Sequence, residues 1–152
     1  MIAPAASMHS IIEYADERHR QQVIALWKTV LGYTAAHSEP GLSIDKKLAI
    51  QDGLFFVAEA DGAVVGTVMA GYDGHRGWLY SVAVDPSQRK QGLGAALVRH
   101  AEQALGARGC LKINLQIVGG NESVSAFYAS LGYAIEPRIS MGKKLSQNIP
   151  KT

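Results

Sequence analysis

The sequence predicts a single α/β domain built on one mixed sheet with helices on both faces. Runs rich in β-branched and aromatic residues alternate with segments of helical periodicity in the order β-α-α-β-β-β-α-β-α-β-β. Two of the β runs are joined by Asp61 and Gly62 alone, a pair that favours a tight hairpin turn. The 152 residues, 47% of them hydrophobic, are enough to bury one core without splitting into several domains.

Residues 1–10 (MIAPAASMHS) lack the charged start and long apolar stretch of a secretory signal and read as a flexible leader to a domain over 11–145. Residues 11–14 form a short apolar strand. Asp16 is placed to cap a helix along which Val23, Leu26, Trp27, Val30 and Leu31 recur at helical spacing. Residues 34–42 carry Pro40 and Gly41 and read as a loop, with Ser43 as N-cap of a second short helix to about Gln51. Residues 54–60 (LFFVAEA) and 63–70 (AVVGTVMA) are the hairpin strands. A glycine-punctuated turn, residues 71–77 (GYDGHRG), leads into a strand at 78–84 (WLYSVAV). A helix then runs to about Ala107, followed by an alternating strand at 112–118 (KINLQIV). Asn121 caps another helix bearing Val124, Phe127, Tyr128 and Leu131, and Gly132 stops it. Residues 133–135 and 139–145 finish as short strands, and 146–152 as a polar, flexible tail.

Composition narrows the function. A net charge of +2, with basic residues scattered outside Arg89–Lys90 and Lys143–Lys144, does not describe a nucleic-acid binder. Cys110 is the only cysteine, so no internal disulfide forms; it reads as a small buried hydrophobe in a reducing compartment. No apolar run approaches the roughly 20 residues of a membrane span. A cytoplasmic protein is expected.

The informative stretch is Arg89-Lys90-Gln91-Gly92-Leu93-Gly94, between a strand and a helix. A helix start exposes unpaired amides and the positive end of the macrodipole, which suits an anion. No G-x-x-x-x-G-K-[ST] string occurs, which excludes a P-loop. A dinucleotide fingerprint fails because Leu97 stands where its third glycine belongs. Local chemistry leaves open an anion site or a plain helix start with Asp85 and Pro86 as a turn. A second motif follows: Asn121, then Tyr128 on a helix, then Leu131-Gly132-Tyr133. R-x-x-G-x-G and this second motif together resemble the GNAT superfamily of acyl-CoA-dependent N-acetyltransferases. They cover about residues 78–134, and GYDGHRG after its hairpin is similar to the bacterial YpeA-type members.

The resemblance implies a mostly antiparallel central sheet and acetyl-CoA as cosubstrate, with no metal. It implies that the amides of Gln91, Gly92, Leu93, Gly94 and Ala95 face the coenzyme A pyrophosphate, with Arg89 and Lys90 adding charge. It places backbone groups of Val82 and Val84 beside the pantetheine arm. Asn121 is a helix cap that is also implied to contact the pantetheine amides. Tyr128 is implied as the general acid for the departing thiolate, against a plain reading as a packed aromatic. The related ribosomal-protein alanine acetyltransferases carry a glutamate where this chain has Gln116, and residues 78–84 hold no carboxylate. Ordered water, Glu59, Asp73 and His75 are the candidates for proton removal. Acceptor specificity is expected in residues 71–77, through Asp73 and His75, and in residues 34–42. The expected activity is acetyl transfer from acetyl-CoA to a primary amine, on a small molecule or a protein, by direct attack on the thioester. The alternative is a non-catalytic acyl-CoA-binding module. A monomer or homodimer is expected, with no nucleic-acid or membrane partner.

Overall fold

In the computed structural model, alternation along the β runs sorts side chains onto two faces of one sheet. The structure describes residues 9–32 and 39–145. Residues 1–8 of the expected leader, 34–38 of the expected loop and the expected tail 146–152 lie outside them. Two compact units divide the chain, Met1–Gln116 and Ile117–Thr152.

In the first unit, β1 (Ser10–Glu13), β2 (Phe55–Ala60), β3 (Ala63–Tyr72), β4 (Gly77–Val84) and β5 (Ile113–Asn114) lie in that order across the sheet. The first three pairings are antiparallel and β4–β5 is parallel, so the sheet is mixed and mostly antiparallel. The β2–β3 turn rests on Asp61 (φ 51°) and Gly62 (φ 79°). Both are left-handed, the geometry whose twist matches the flanking strands.

Helices cover both faces. Phe55, Val57 and Met69 cluster with Val23, Leu26 and Trp27 of α1 (Asp16–Val30) and with Ile44 of α2 (Pro40–Ile50). On the other face, Phe56 meets His100 of α3 (Leu93–Gly106) edge-on at 4.5 Å. Leu93, Leu97, Val98, Ala101 and Leu105 form the buried stripe of α3 at helical spacing. Each fully buried aliphatic side chain there contributes about 2 kcal/mol. A Cβ on Gly66 of β3 would stand 2.8 Å from Leu97 Cδ1 and 3.2 Å from the Ala83 carbonyl oxygen. Glycine at 66 therefore lets α3 lie close to the sheet.

Several local expectations are corrected. Ala15, not Asp16, is the N-cap of α1; the Asp16 carboxylate instead accepts from the Tyr14 hydroxyl at 2.6 Å and from Arg20 Nε at 2.9 Å. Residues 40–42 are not loop, because α2 begins at Pro40 and Ser43 lies inside it. Proline suits a first helical position, where its missing N–H has no partner to lose. The cap is Glu39, whose carboxylate accepts from the amides of Gly41 at 3.0 Å and Leu42 at 2.8 Å. Cys110 is only half-buried, its thiol donating to the Lys112 carbonyl at 3.3 Å. Strand β5 holds two residues rather than the seven of 112–118.

In the second unit, α4 (Glu122–Ser130) is the only helix or strand among the described residues. The expected strands at 133–135 and 139–145 are not formed; Ile135, Ile139 and Met141 are exposed. An apolar alternation makes a strand only when its amides and carbonyls find a ladder, and neither segment joins the sheet.

Candidate active site

The site begins with an irregularity in β4. Thr67 of β3 faces Ala83, and Met69 faces Tyr80, so two steps on β3 oppose three on β4. Ser81 and Val82 together stand opposite the single residue Val68, which makes the stretch a β-bulge. Ser81 sits at φ 49°, a left-handed backbone that a residue with a Cβ adopts rarely. The Thr67 hydroxyl donates to the Ser81 carbonyl at 2.8 Å and accepts from Trp27 Nε1–H at 2.8 Å. Thr67 and Trp27 are both fully buried. Neither was legible as a site residue, although Thr67 is the only hydroxyl in the apolar run 63–70.

After β4 the chain is fastened before it reaches α3. The Asp85 amide donates to the Val65 carbonyl at 2.8 Å. The Asp85 carboxylate accepts from the Ser87 hydroxyl at 2.7 Å and the Ser87 amide at 2.9 Å, opening a short 3₁₀ turn at Pro86–Gln88. Those two bonds, the hydroxyl's first, hold the Asp85 carboxyl below its ordinary range. Arg89 and Lys90 follow, exposed, and neither forms an ion pair among the described residues. Gly92, at φ 76°, is the N-cap of α3, and no side chain caps the helix. A Cβ on Gly92 would meet no protein atom within 4 Å. The first intrahelical bond runs from the Ala96 amide to the Gly92 carbonyl, so the amides of Leu93, Gly94 and Ala95 precede the ladder. Amides ahead of the ladder, two exposed cations and open space beside glycine form an arrangement that fits a phosphate group.

The second unit carries Asn121 and Tyr128. Asn121 Oδ1 accepts from the Val124 amide at 3.4 Å and the Ser123 hydroxyl at 3.2 Å, so the residue does cap α4. Tyr128 is buried, with the rings of Phe127 and Tyr133 edge-on at 5.0 and 5.7 Å. Its hydroxyl makes no hydrogen bond among the described residues, and burial pushes its pKa up to about 12. The phenol thus keeps its proton far above neutral pH.

The turn between β3 and β4 holds the remaining candidates. Asp73 Oδ1 accepts from the amides of His75 at 2.7 Å and Arg76 at 2.8 Å. These bonds, that to Arg76 first, hold the carboxyl below its ordinary range. His75 is exposed. The charge of Asp73 reaches Tyr80 on β4, whose pKa is raised by burial first and Asp73 second. Glu59 is engaged within the first unit. Its carboxylate accepts from Arg18 at 2.9–3.0 Å and from buried His19 at 3.1 Å. The Ala15 amide donates to His19 Nδ1, leaving the proton of the neutral ring on Nε2, toward Glu59. Gln116 is exposed and closes the first unit.

Solved structures share this architecture. Ard1 from Thermoplasma volcanium superposes with a TM-score of 0.75 at 22% identity, covering 84% of each chain. The PaiA N-acetyltransferase of Thermoplasma acidophilum, solved with coenzyme A, gives 0.74 at 18% identity over 87% of this chain and 93% of that one. At those identities the likeness is one of fold. The sequence model of the acetyltransferase (GNAT) family matches residues 21–133, and the chain belongs to this family. It is an acyl-CoA-dependent N-acetyltransferase. An acetyltransferase of Sodalis glossinidius is 40% identical over 129 residues, 84% of this chain and 90% of its own length. Among the described residues no helix is long and apolar enough to cross a membrane.

Proposed function

We propose that the chain moves an acetyl group from acetyl-CoA to a primary amine in one direct step, within one domain over residues 11–145. The observation that carries this reading is the start of α3, where a left-handed Gly92 and a capless first turn follow the bulged end of β4. The amides of Gln91 to Ala95 bind the pyrophosphate, and Arg89 and Lys90 add charge-assisted contacts to phosphate oxygens. Val82 and Val84 offer backbone groups to the pantetheine arm as an added strand would. Asn121 caps α4 through Oδ1 and keeps its NH₂ group for the pantetheine.

In the transfer the amine nitrogen bonds to the thioester carbonyl carbon and the C–S bond breaks. Tyr128, a phenol at any pH below about 12, gives its proton to the departing thiolate. The amine's surplus proton leaves through ordered water, because Gln116 replaces a carboxylate and Glu59 is engaged elsewhere. Asp73 and His75 draw the acceptor toward Tyr80. Cys110 as a lone thiol supports a cytoplasmic setting, as a monomer or homodimer.

Titration calorimetry with acetyl-CoA, followed by thiol release across a panel of polyamines, amino acids, aminoglycosides and peptide N-termini, tests the reading. Binding together with amine-dependent thiol release is expected. Binding with no release for any amine would leave a non-catalytic acyl-CoA-binding module.

A further inference from the structure

We propose that Thr67 is a positioning residue for acyl transfer, its hydroxyl holding the β4 bulge in the form that presents Val82 to the acyl donor. The inference rests on the proposed placement of the donor along Val82 and Val84. Its observations are independent of that placement.

A bulge takes backbone groups out of the ladder, and a buried carbonyl without a partner is costly. The carbonyl of Ser81 is met by the Thr67 hydroxyl at 2.8 Å. A hydroxyl has one hydrogen and rotates, so by itself it specifies little. Here Trp27 Nε1–H, 2.8 Å away, can only donate and the Ser81 carbonyl can only accept, so the hydroxyl hydrogen is directed to Ser81. The two donors form a directed chain from α1 through β3 to the bulge. Every member is tied down: Trp27 and Thr67 are fully buried, and Trp27 stacks on Phe55 with ring centroids 5.7 Å apart. What the chain holds is a residue at φ 49° that shares with Val82 the position opposite Val68. Such backbone persists only where its surroundings over-determine it, and such sites cluster where function needs them. Thr67 touches no reacting atom in this scheme; it acts through Ser81 and Val82.

A purely structural role would lower stability and leave the turnover of the folded enzyme unchanged. The test compares wild type, Thr67→Val and Thr67→Ser by melting temperature, acetyl-CoA calorimetry and steady-state thiol release with the best amine. Valine keeps the shape and removes the donor and acceptor; serine keeps the hydroxyl. The expected result for Thr67→Val is a kcat about tenfold lower with acetyl-CoA affinity within about threefold, because misplacing a reacting group acts on the chemical step. Thr67→Ser is expected to restore kcat to within about threefold of wild type. A folded Thr67→Val enzyme with wild-type kcat would overturn the inference. If Thr67→Val does not fold, Thr67→Ala decides, since it also removes the hydroxyl that meets Ser81 and demands no space of the core. A severalfold drop in kcat with unchanged affinity supports the role, and no drop overturns it. A wild-type protein that binds acetyl-CoA and acetylates nothing would instead sink the proposed function, which separates the two failures.

Discussion

Helices α2 and α3 both leave their first amides outside the intrahelical ladder, and they treat them in opposite ways. At α2 the Glu39 carboxylate accepts from Gly41 and Leu42, and Pro40 removes one amide outright. At α3 the cap residue is glycine in a left-handed conformation with no side-chain cap bond, and Arg89 and Lys90, in no ion pair among the described residues, stand just before it. The first arrangement completes the fold from within. The second leaves the positive end of a 14-residue helix facing outward. The same contrast separates Asp73, whose Oδ1 closes its own turn, from Tyr128, whose hydroxyl is engaged by no described residue. Groups engaged by the chain itself should matter to stability, and open groups to binding and turnover.

The sharpest break in that contrast is expected at Tyr128. Tyr128→Phe should keep acetyl-CoA affinity within a few-fold and lower turnover by about 10²-fold, as loss of a general acid does. Full activity at saturating acetyl-CoA would make Tyr128 a packing residue. Its raised pKa adds a sign that can be checked. The phenol stays protonated up to about pH 12, so the turnover profile should show no basic limb from this group below about pH 11. Stability should fall as pH rises from 10 toward 12, where the unfolded chain ionises first.

Next in size is the start of α3. Gly94→Val should weaken acetyl-CoA binding at least about tenfold, or about 1.4 kcal/mol, by calorimetry on the folded variant. Gly94 is the cleaner position, because valine at residue 92 would also carry the strain of φ 76°. Unchanged affinity would remove the pyrophosphate from this loop. A smaller effect is expected at Asp73. Asparagine keeps an oxygen for the turn and removes the charge, so Asp73→Asn should raise the acceptor KM about threefold with acetyl-CoA binding unchanged. An equal KM would confine Asp73 to the turn.

The smallest effect belongs to α2. Glu39→Gln should lower the melting temperature slightly and leave acetyl-CoA affinity untouched. The amides of Gly41 and Leu42 depress the Glu39 pKa below 4.5. Its contribution is therefore present above about pH 4.5 and lost as pH falls through the folded value, and the variant should lose that part of the acid slope. A changed acetyl-CoA affinity would mean that the two helix starts are not independent.

Much of this was readable from residues alone where local chemistry and fold agree. Asp61 and Gly62 named their turn, the stripe from Leu93 to Leu105 named α3, and Asn121 named the start of α4. The family motifs pointed to the α3 loop and Tyr128 as the candidate site. The failures have physical causes. Pro40 and Gly41 looked like loop because a proline that starts a helix and one that breaks a turn are the same letter, and only Glu39's reach decides between them. Asp16 could have capped α1, but Tyr14 and Arg20 claim its carboxylate. The residues of 139–145 alternate like a strand and find no ladder. The bulge left no trace in residues 78–84, since Ser81 is no glycine and its support comes from Trp27 and Thr67, 54 and 14 residues away.

Gly66 carries a consequence for how such a protein tolerates change. It lies on β3 beneath α3, where even a methyl group would collide with Leu97 and the Ala83 carbonyl oxygen. Alanine there would crowd the helix whose first turn the cosubstrate is proposed to occupy, so that Leu97 and the Ala83 backbone must give, without touching any ligand. A selection for acetyl-CoA affinity would then act as a selection on core volume. Buried positions such as Gly66 and Leu97 should drift more slowly than the exposed acceptor turn. Substrate preference should then diverge more readily than the proposed cosubstrate grip.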